Sequence, residues 1–207
     1  DSADQQVASS GPYVYVVWRD NPSETVFNPE ILLARSSDGG KTFGAAVNLS
    51  NRDGNSGSPG VAASGPNVYV IWSEVDGYQM VQSPDSGATF DSTPRNLTTL
   101  FGIPASGSCA IAASGNNVFL SCQQPDPTTG QHDIFVSRSN DSGNTFSALE
   151  NVSKTPDVGS TNSRIAASGS DVYVVWQEGF SSLSEIYFNR STDNGVAFEL
   201  QPRNISE

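Results

Sequence analysis

Lysine occurs only at positions 41 and 154 of this 207-residue chain, which also has one histidine, one methionine and two cysteines. Ten Lys and Arg stand against 22 Asp and Glu, a formal charge of −12. With a sequence pI near 4.3, nucleic acid is excluded as a partner, because a phosphate-backbone binder needs a basic surface. Charged residues make up 15% of the chain, against roughly 25% in an average soluble domain. The longest apolar run is the six residues 13–18, far below the roughly 20 of a membrane-spanning helix. Helical periodicity is absent throughout. What remains is a Gly- and Ser-rich chain with many short apolar runs, which reads as all-β and exported. The length suits one domain, or two small ones, with ample residues for a core.

One unit recurs four times. Its first half is VASSGPYVYVVW at 7–18, VAASGPNVYVIW at 61–72, IAASGNNVFLSC at 111–122 and IAASGSDVYVVW at 165–176. Its second half is SSDGGKTF at 36–43, SPDSGATF at 83–90, SNDSGNTF at 139–146 and STDNGVAF at 191–198. Each octapeptide precedes an Asn-apolar-Ser/Thr triplet beginning at Asn48, Asn96, Asn151 or Asn204. The spacings between Asp38, Asp85, Asp141 and Asp193 are 47, 56 and 52 residues, so only connecting loops vary in length. Repeats of this period mean a stacked or radial architecture.

Each unit predicts four strands. The first two meet at a Ser-Gly turn with Gly first of the two central residues, the type II′ signature. Pro12 and Pro66 fit the second position, where φ is negative. The second strands are apolar on both faces: Val14, Val16 and Trp18 point one way, Tyr15 and Val17 the other. A two-layer sandwich would leave one face polar, whereas a propeller blade is pressed between two neighbours. The first strands are Ala-rich, as an innermost strand near a crowded axis requires. The expectation is an all-β, four-bladed β-propeller in one domain, with blades near 1–50, 51–99, 100–153 and 154–207. The chain starts on an inner strand and ends on an outer one, so closure would rest on packing between blades one and four. The alternatives are an eight-bladed ring shared by two chains, or a piece of a longer array.

The repeat places the two cysteines. Cys122 takes the position of Trp18, Trp72 and Trp176. Counting outwards from the Gly115–Asn116 turn, residue 109 is its non-hydrogen-bonded partner, at about 4.5 Å between Cα atoms. That separation admits a disulfide, so a Cys109–Cys122 bridge is predicted, with two buried thiols as the alternative. A bridge implies an oxidising compartment, hence secretion or the cell surface.

The octapeptide S-x-D-x-G-x-T-F, four times over, resembles the Asp-box (BNR) repeat of the sialidase-like propeller superfamily across essentially the whole chain. Only Ala197, where Thr is expected, departs from it. The resemblance implies that the box lies between the third and fourth strands and is structural. Those residues are Asp38, Gly40 and Phe43; Asp85, Gly87 and Phe90; Asp141, Gly143 and Phe146; and Asp193, Gly195 and Phe198. A short Asp side chain accepting N–H bonds in its own turn agrees with this. Sialidases share an Arg-Ile-Pro motif and an arginine triad. Here Gly102-Ile103-Pro104 lacks the arginine, and Arg35, Arg138 and Arg190 occupy one repeat position, with Gln82 in the second blade. The chain therefore resembles non-sialidase members that bind or assemble without catalysis.

On the face opposite the boxes, Asp20, Glu74, Gln124 and Glu178 hold one repeat position and form a candidate binding or metal face with Arg164. Loops nearby add Glu24, Glu30, Asp53, Asp76, Asp126, Asp133 and Glu185. These oxygens could supply part of a Ca²⁺ shell or the paired carboxylates of glycoside hydrolysis; solvated surface charge is the alternative. His132 beside Asp133 has no Cys or His company, as a surface residue would. Sequons at Asn48, Asn96, Asn140, Asn151, Asn189 and Asn204 are candidate glycan acceptors, although four share one repeat position and also read as strand-end architecture. The functional expectation is an exported, non-catalytic propeller that binds glycan or protein at the cell surface. A sialidase-like glycoside hydrolase and a self-associating structural subunit, present as a homo-oligomer, are the alternatives.

Overall fold

The computed structural model describes residues 1–21, 27–51, 54–102, 107–126, 129–155, 158–179 and 184–206. Within them, sixteen strands form four antiparallel sheets of four, each in sequence order. The first sheet comprises β1 (Ser2–Ser10), β2 (Tyr13–Asp20), β3 (Glu30–Ser36) and β4 (Val47–Asn48). The second comprises β5 (Gly57–Ser64), β6 (Asn67–Glu74), β7 (Gly77–Ser83) and β8 (Arg95–Asn96). After the short helix α1 (Leu97–Phe101), the third has β9 (Cys109–Ser114), β10 (Asn117–Pro125), β11 (His132–Ser139) and β12 (Glu150–Asn151). The fourth has β13 (Ser160–Ser168), β14 (Asp171–Glu178), β15 (Glu185–Ser191) and β16 (Arg203–Asn204). These are the blades of a four-blade β-propeller, as the repeats predict. Residues Asp1–Ala105 and Ser106–Glu207 form two compact units of two blades each.

The turns follow the sequence. Gly11, Gly65, Gly115 and Gly169 have φ between 57° and 59°, and the residues after them are not at positive φ, which is the pattern a type II′ hairpin needs. The outer strands are shorter than the sequence suggests, two residues each. Helix α1 overturns the expectation of no helix. Asn96 caps its start by accepting from Thr99 N, and Gly102 ends it in the left-handed region. Five residues are too few to leave a periodic signature.

Bulges interrupt β1, β5 and β13 at equivalent places. There Asp4, Ser58 and Asn162 take φ of 58°, 46° and 55°. The extra residue bends each inner strand at its end away from the Ser-Gly turn.

The core of each unit lies between its two sheets. In the first, Tyr15, Val17, Ile31, Leu33 and Leu49 pack against Val61, Val68, Val70, Trp72 and Val81. In the second, Phe119, Ile134, Val136 and Val152 meet Val172, Val174, Trp176 and Phe198. A face carrying Tyr15 or Phe119 in one blade thus receives the face carrying Trp72 or Trp176 in the next. We term these the tyrosine face and the tryptophan face. The expectation that both faces are buried holds for β6 and β10. In β2 the tryptophan face is only half-buried, and in β14 the tyrosine face is.

The Cys109–Cys122 disulfide is present, with the two Cα atoms 4.1 Å apart in the β9–β10 register. Cys122 is fully buried.

Candidate functional site

The octapeptide turns are built alike. Asp38 accepts from Thr42 Oγ1 at 2.6 Å, from Thr42 N at 2.9 Å and from Ser36 Oγ at 2.7 Å, while Gly40 N donates to Ser36 Oγ at 2.9 Å. Asp85 and Asp141 repeat the set with Thr89 and Thr145. Asp193 keeps the backbone bond from Ala197 but has no hydroxyl there. Each turn also ties to the Ser-Gly hairpin of its own blade, as when Gly39 N donates to the Pro12 carbonyl. Glycine is required at the fifth position. A Cβ on Gly87 would lie 2.8 Å from Tyr15 Cε1, and one on Gly195 3.0 Å from Phe119 Cε1.

Bonds from the threonines, and then from the serines, hold Asp38, Asp85 and Asp141 at about 2, below the ordinary 3.8. Asp193 is also lowered, chiefly by Ser191. A carboxylate with a depressed folded-state pKa stabilises the fold above its unfolded value, and the contribution is lost as pH falls through the folded one. Stability should therefore drop as pH falls from 3.8 towards about 2. Asp85→Asn should flatten that slope in denaturant melts; parallel curves would count against the turn as the acid-sensitive element.

At the opposite end of the sheets, the repeated acidic position is engaged within its own blade in the first, second and fourth blades. Glu74 accepts from Trp72 Nε1 at 2.8 Å. Glu178 accepts from Trp176 Nε1 at 2.6 Å and from Ser160 Oγ at 2.8 Å. Asp20 accepts from Ser2 Oγ at 2.5 Å. Gln124 lies opposite Asp133 in the β10–β11 register. Arg164 is exposed, with Nη1 on the Ser163 carbonyl. Among the described residues no three His, Cys, Asp or Glu side chains gather to hold a metal. Glu24 and Asp53 lie outside the described residues. Trp-x-Glu was the signal available in the sequence, since residues two apart share one face of a strand.

The Asn-apolar-Ser/Thr triplets are similarly occupied. Ser50, Ser153 and Ser206 Oγ accept from Ile31, Ile134 and Ile186 N, and Thr98 Oγ1 accepts from Tyr78 N. Asn151 Nδ2 donates to Asp133 and Asn204 Nδ2 to Glu185, while Ser50 donates to Glu30. Asn189 is fully buried, its Nδ2 on the carbonyls of Val152 and Glu199.

One pair stands out chemically. Asp133 is buried, and that burial raises its pKa; bonds from Asn151 and Ser153 oppose the rise, and the charges of Asp126 and Glu178 add to it. Glu178 Oε1 is buried and, among the described residues, has no hydrogen-bond partner. The arginines at one repeat position serve their surroundings: Arg35 lies over the Tyr13 ring at 4.7 Å, and Arg190 pairs with Glu199 at 2.7 Å.

No protein-family model matches the chain, and no curated protein does. Solved structures do. A protein of unknown function from Dyadobacter fermentans superposes with TM-score 0.74 at 15% identity, over 100% of this chain and 69% of that one. Trypanosoma rangeli sialidase bound to the inhibitor DANA gives 0.65 at 14%, over 96% and 37%. An α-L-arabinofuranosidase from Fusarium graminearum gives 0.63 at 13%, over 93% and 63%. The chain thus has the fold of sialidase-like and glycoside hydrolase propellers, and it spans little more than a third of the sialidase's length.

Proposed function

We propose that the chain is an exported Asp-box propeller of the sialidase-like superfamily that binds glycan or protein at the cell surface without catalysis. The disulfide is compatible with secretion. The observation that carries the reading is the engagement of Asp20, Glu74 and Glu178 with serine and indole donors of their own blades, which leaves that rim for recognition. A panel of fluorogenic sialosides and arabinofuranosides should show no turnover above buffer, and a glycan array should show binding that falls on substitution of the exposed Arg164. Turnover would overturn the proposal.

The second reading, a glycoside hydrolase, is favoured by one observation. Asp133, whose pKa is raised chiefly by burial, is the kind of carboxyl that serves as a general acid. Under that reading, Asp133→Asn abolishes an activity found in the panel.

A further inference from the structure

The six sequons are not alike once the chain is folded. Asn189 is fully buried, its Nδ2 on the carbonyls of Val152 and Glu199. A saccharide on that nitrogen would need room that a packed blade does not have. Asn48, Asn96, Asn151 and Asn204 share one repeat position and one task. Their Oδ1 atoms accept from the backbone nitrogens of Asn51, Thr99, Lys154 and Ser206 at 2.9–3.0 Å. Three of them also engage Nδ2: Asn96 on the Asp76 carbonyl at 3.0 Å, Asn151 on Asp133 at 2.7 Å and Asn204 on Glu185 at 2.6 Å. These amides tie off the chain after the outer strands, which is why the blades repeat them.

Asn140 is different. It is the second residue of the third octapeptide, where the other blades carry Ser37, Pro84 and Thr192. Four unlike residues at one position mean that the turn needs no amide there. All four are exposed, so the position faces water in every blade, whichever neighbours the blade has. Among the described residues nothing hydrogen-bonds the Asn140 side chain. The turn is held by the residues on either side. Ser139 Oγ donates to Asp141 at 2.7 Å, and Ser142 N to the Asn116 carbonyl at 2.9 Å. An unengaged amide thus stands on a fixed, solvated corner.

We infer that Asn140 is the acceptor of an N-linked glycan. Asn140-Asp141-Ser142 has the acceptor pattern, and an exposed corner takes a bulky polar group without loss of packing. In the transfer, Nδ2 bonds to the anomeric carbon of a saccharide carried on a lipid phosphate. The bond from that carbon to the phosphate oxygen breaks, and the lipid phosphate leaves with the Nδ2 proton. The inference rests on the proposed export, since the pattern is an acceptor only on an exported chain.

Secretion from a eukaryotic host, behind that host's own leader, tests the site apart from the chain's natural route. Enzymatic release of glycans in heavy-oxygen water turns each occupied Asn into a labelled Asp, which peptide mass mapping locates. In the folded, secreted chain Asn140 should be labelled and Asn189 should not. Asn140→Gln should lose one glycan, seen as a step in electrophoretic mobility, and should melt with the parent once glycans are released. An unlabelled Asn140, a label at Asn189 or the absence of that step overturns the inference. Failure of the proposed export is read separately, as a chain that stays in the cytosolic fraction of its source cells.

Discussion

Replacing Cys109 and Cys122 together by alanine lowers the unfolding free energy by about 3 kcal/mol, the chain-entropy value for a loop of this size. The bridge closes a hairpin whose two cysteines are 13 residues apart. It occupies the place where the other three blades carry tryptophan. The third blade therefore lacks the indole that elsewhere fills the sheet's end, and the covalent link holds β9 against β10 in its stead. Denaturant melts of the double variant measure the loss, and hydrogen exchange locates it. The amides of β9 and β10 should lose protection before those of β14. A loss below about 1 kcal/mol would mean that the Gly115 turn and its packing already hold the hairpin, leaving little denatured-state entropy for the bridge to remove.

Trp176→Ala should cost more, about 3–5 kcal/mol, the range for emptying a buried aromatic site. Its ring packs in the cluster of Phe119, Ile134, Val136 and Val152. Its indole also donates to Glu178 at 2.6 Å, and Glu178 already has one buried oxygen without a partner. Losing that donor adds a desolvation cost of about 1–3 kcal/mol for the carboxylate. Trp18→Ala is the internal control. The same residue at the same repeat position is half-buried there, so its effect on a dilute monomer should be about 1–2 kcal/mol, in proportion to the apolar area it hides. Equal losses at the two sites, measured by denaturant melts at low concentration, would mean that Trp18 is as well covered in solution as Trp176.

Much of the fold was legible because the four copies agree in register as well as in pattern. Ser-Gly turns, two-faced second strands and octapeptides recur at fixed offsets, so strand pairing and the partner of Cys122 could be counted. The difference between blades was not legible. Val7 and Val61 are the same residue in nearly the same local sequence, and Val61 is buried because it packs in the core between the first and second blades. Helix α1 escaped notice because a cap at Asn96 and a left-handed Gly102 do not make a periodic segment. The acidic position was legible as a repeat, but not its hydrogen bonds within the blade. Charge at Asp20, Glu74 and Glu178 suggested ligands, while the tryptophan two residues before each of them held the explanation for the second and fourth blades. Asp133 stood among the loop carboxylates the sequence offered, but its burial was visible only in three dimensions, because its partners Asn151 and Ser153 stand about twenty positions further along the chain.

The octapeptide turn has a consequence for how such a chain can grow. Each one closes the hydrogen bonds of its serine and aspartate within a few residues, from Ser36 to Thr42 in the first copy, and its backbone tie, Gly39 N to the Pro12 carbonyl there, reaches only the hairpin of its own blade. A gene segment encoding one such module can be duplicated and spliced between two others, and the newcomer brings its own corner intact. Selection is then free to lengthen the linkers between modules, where the spacings already differ, without disturbing the pairing inside any of them.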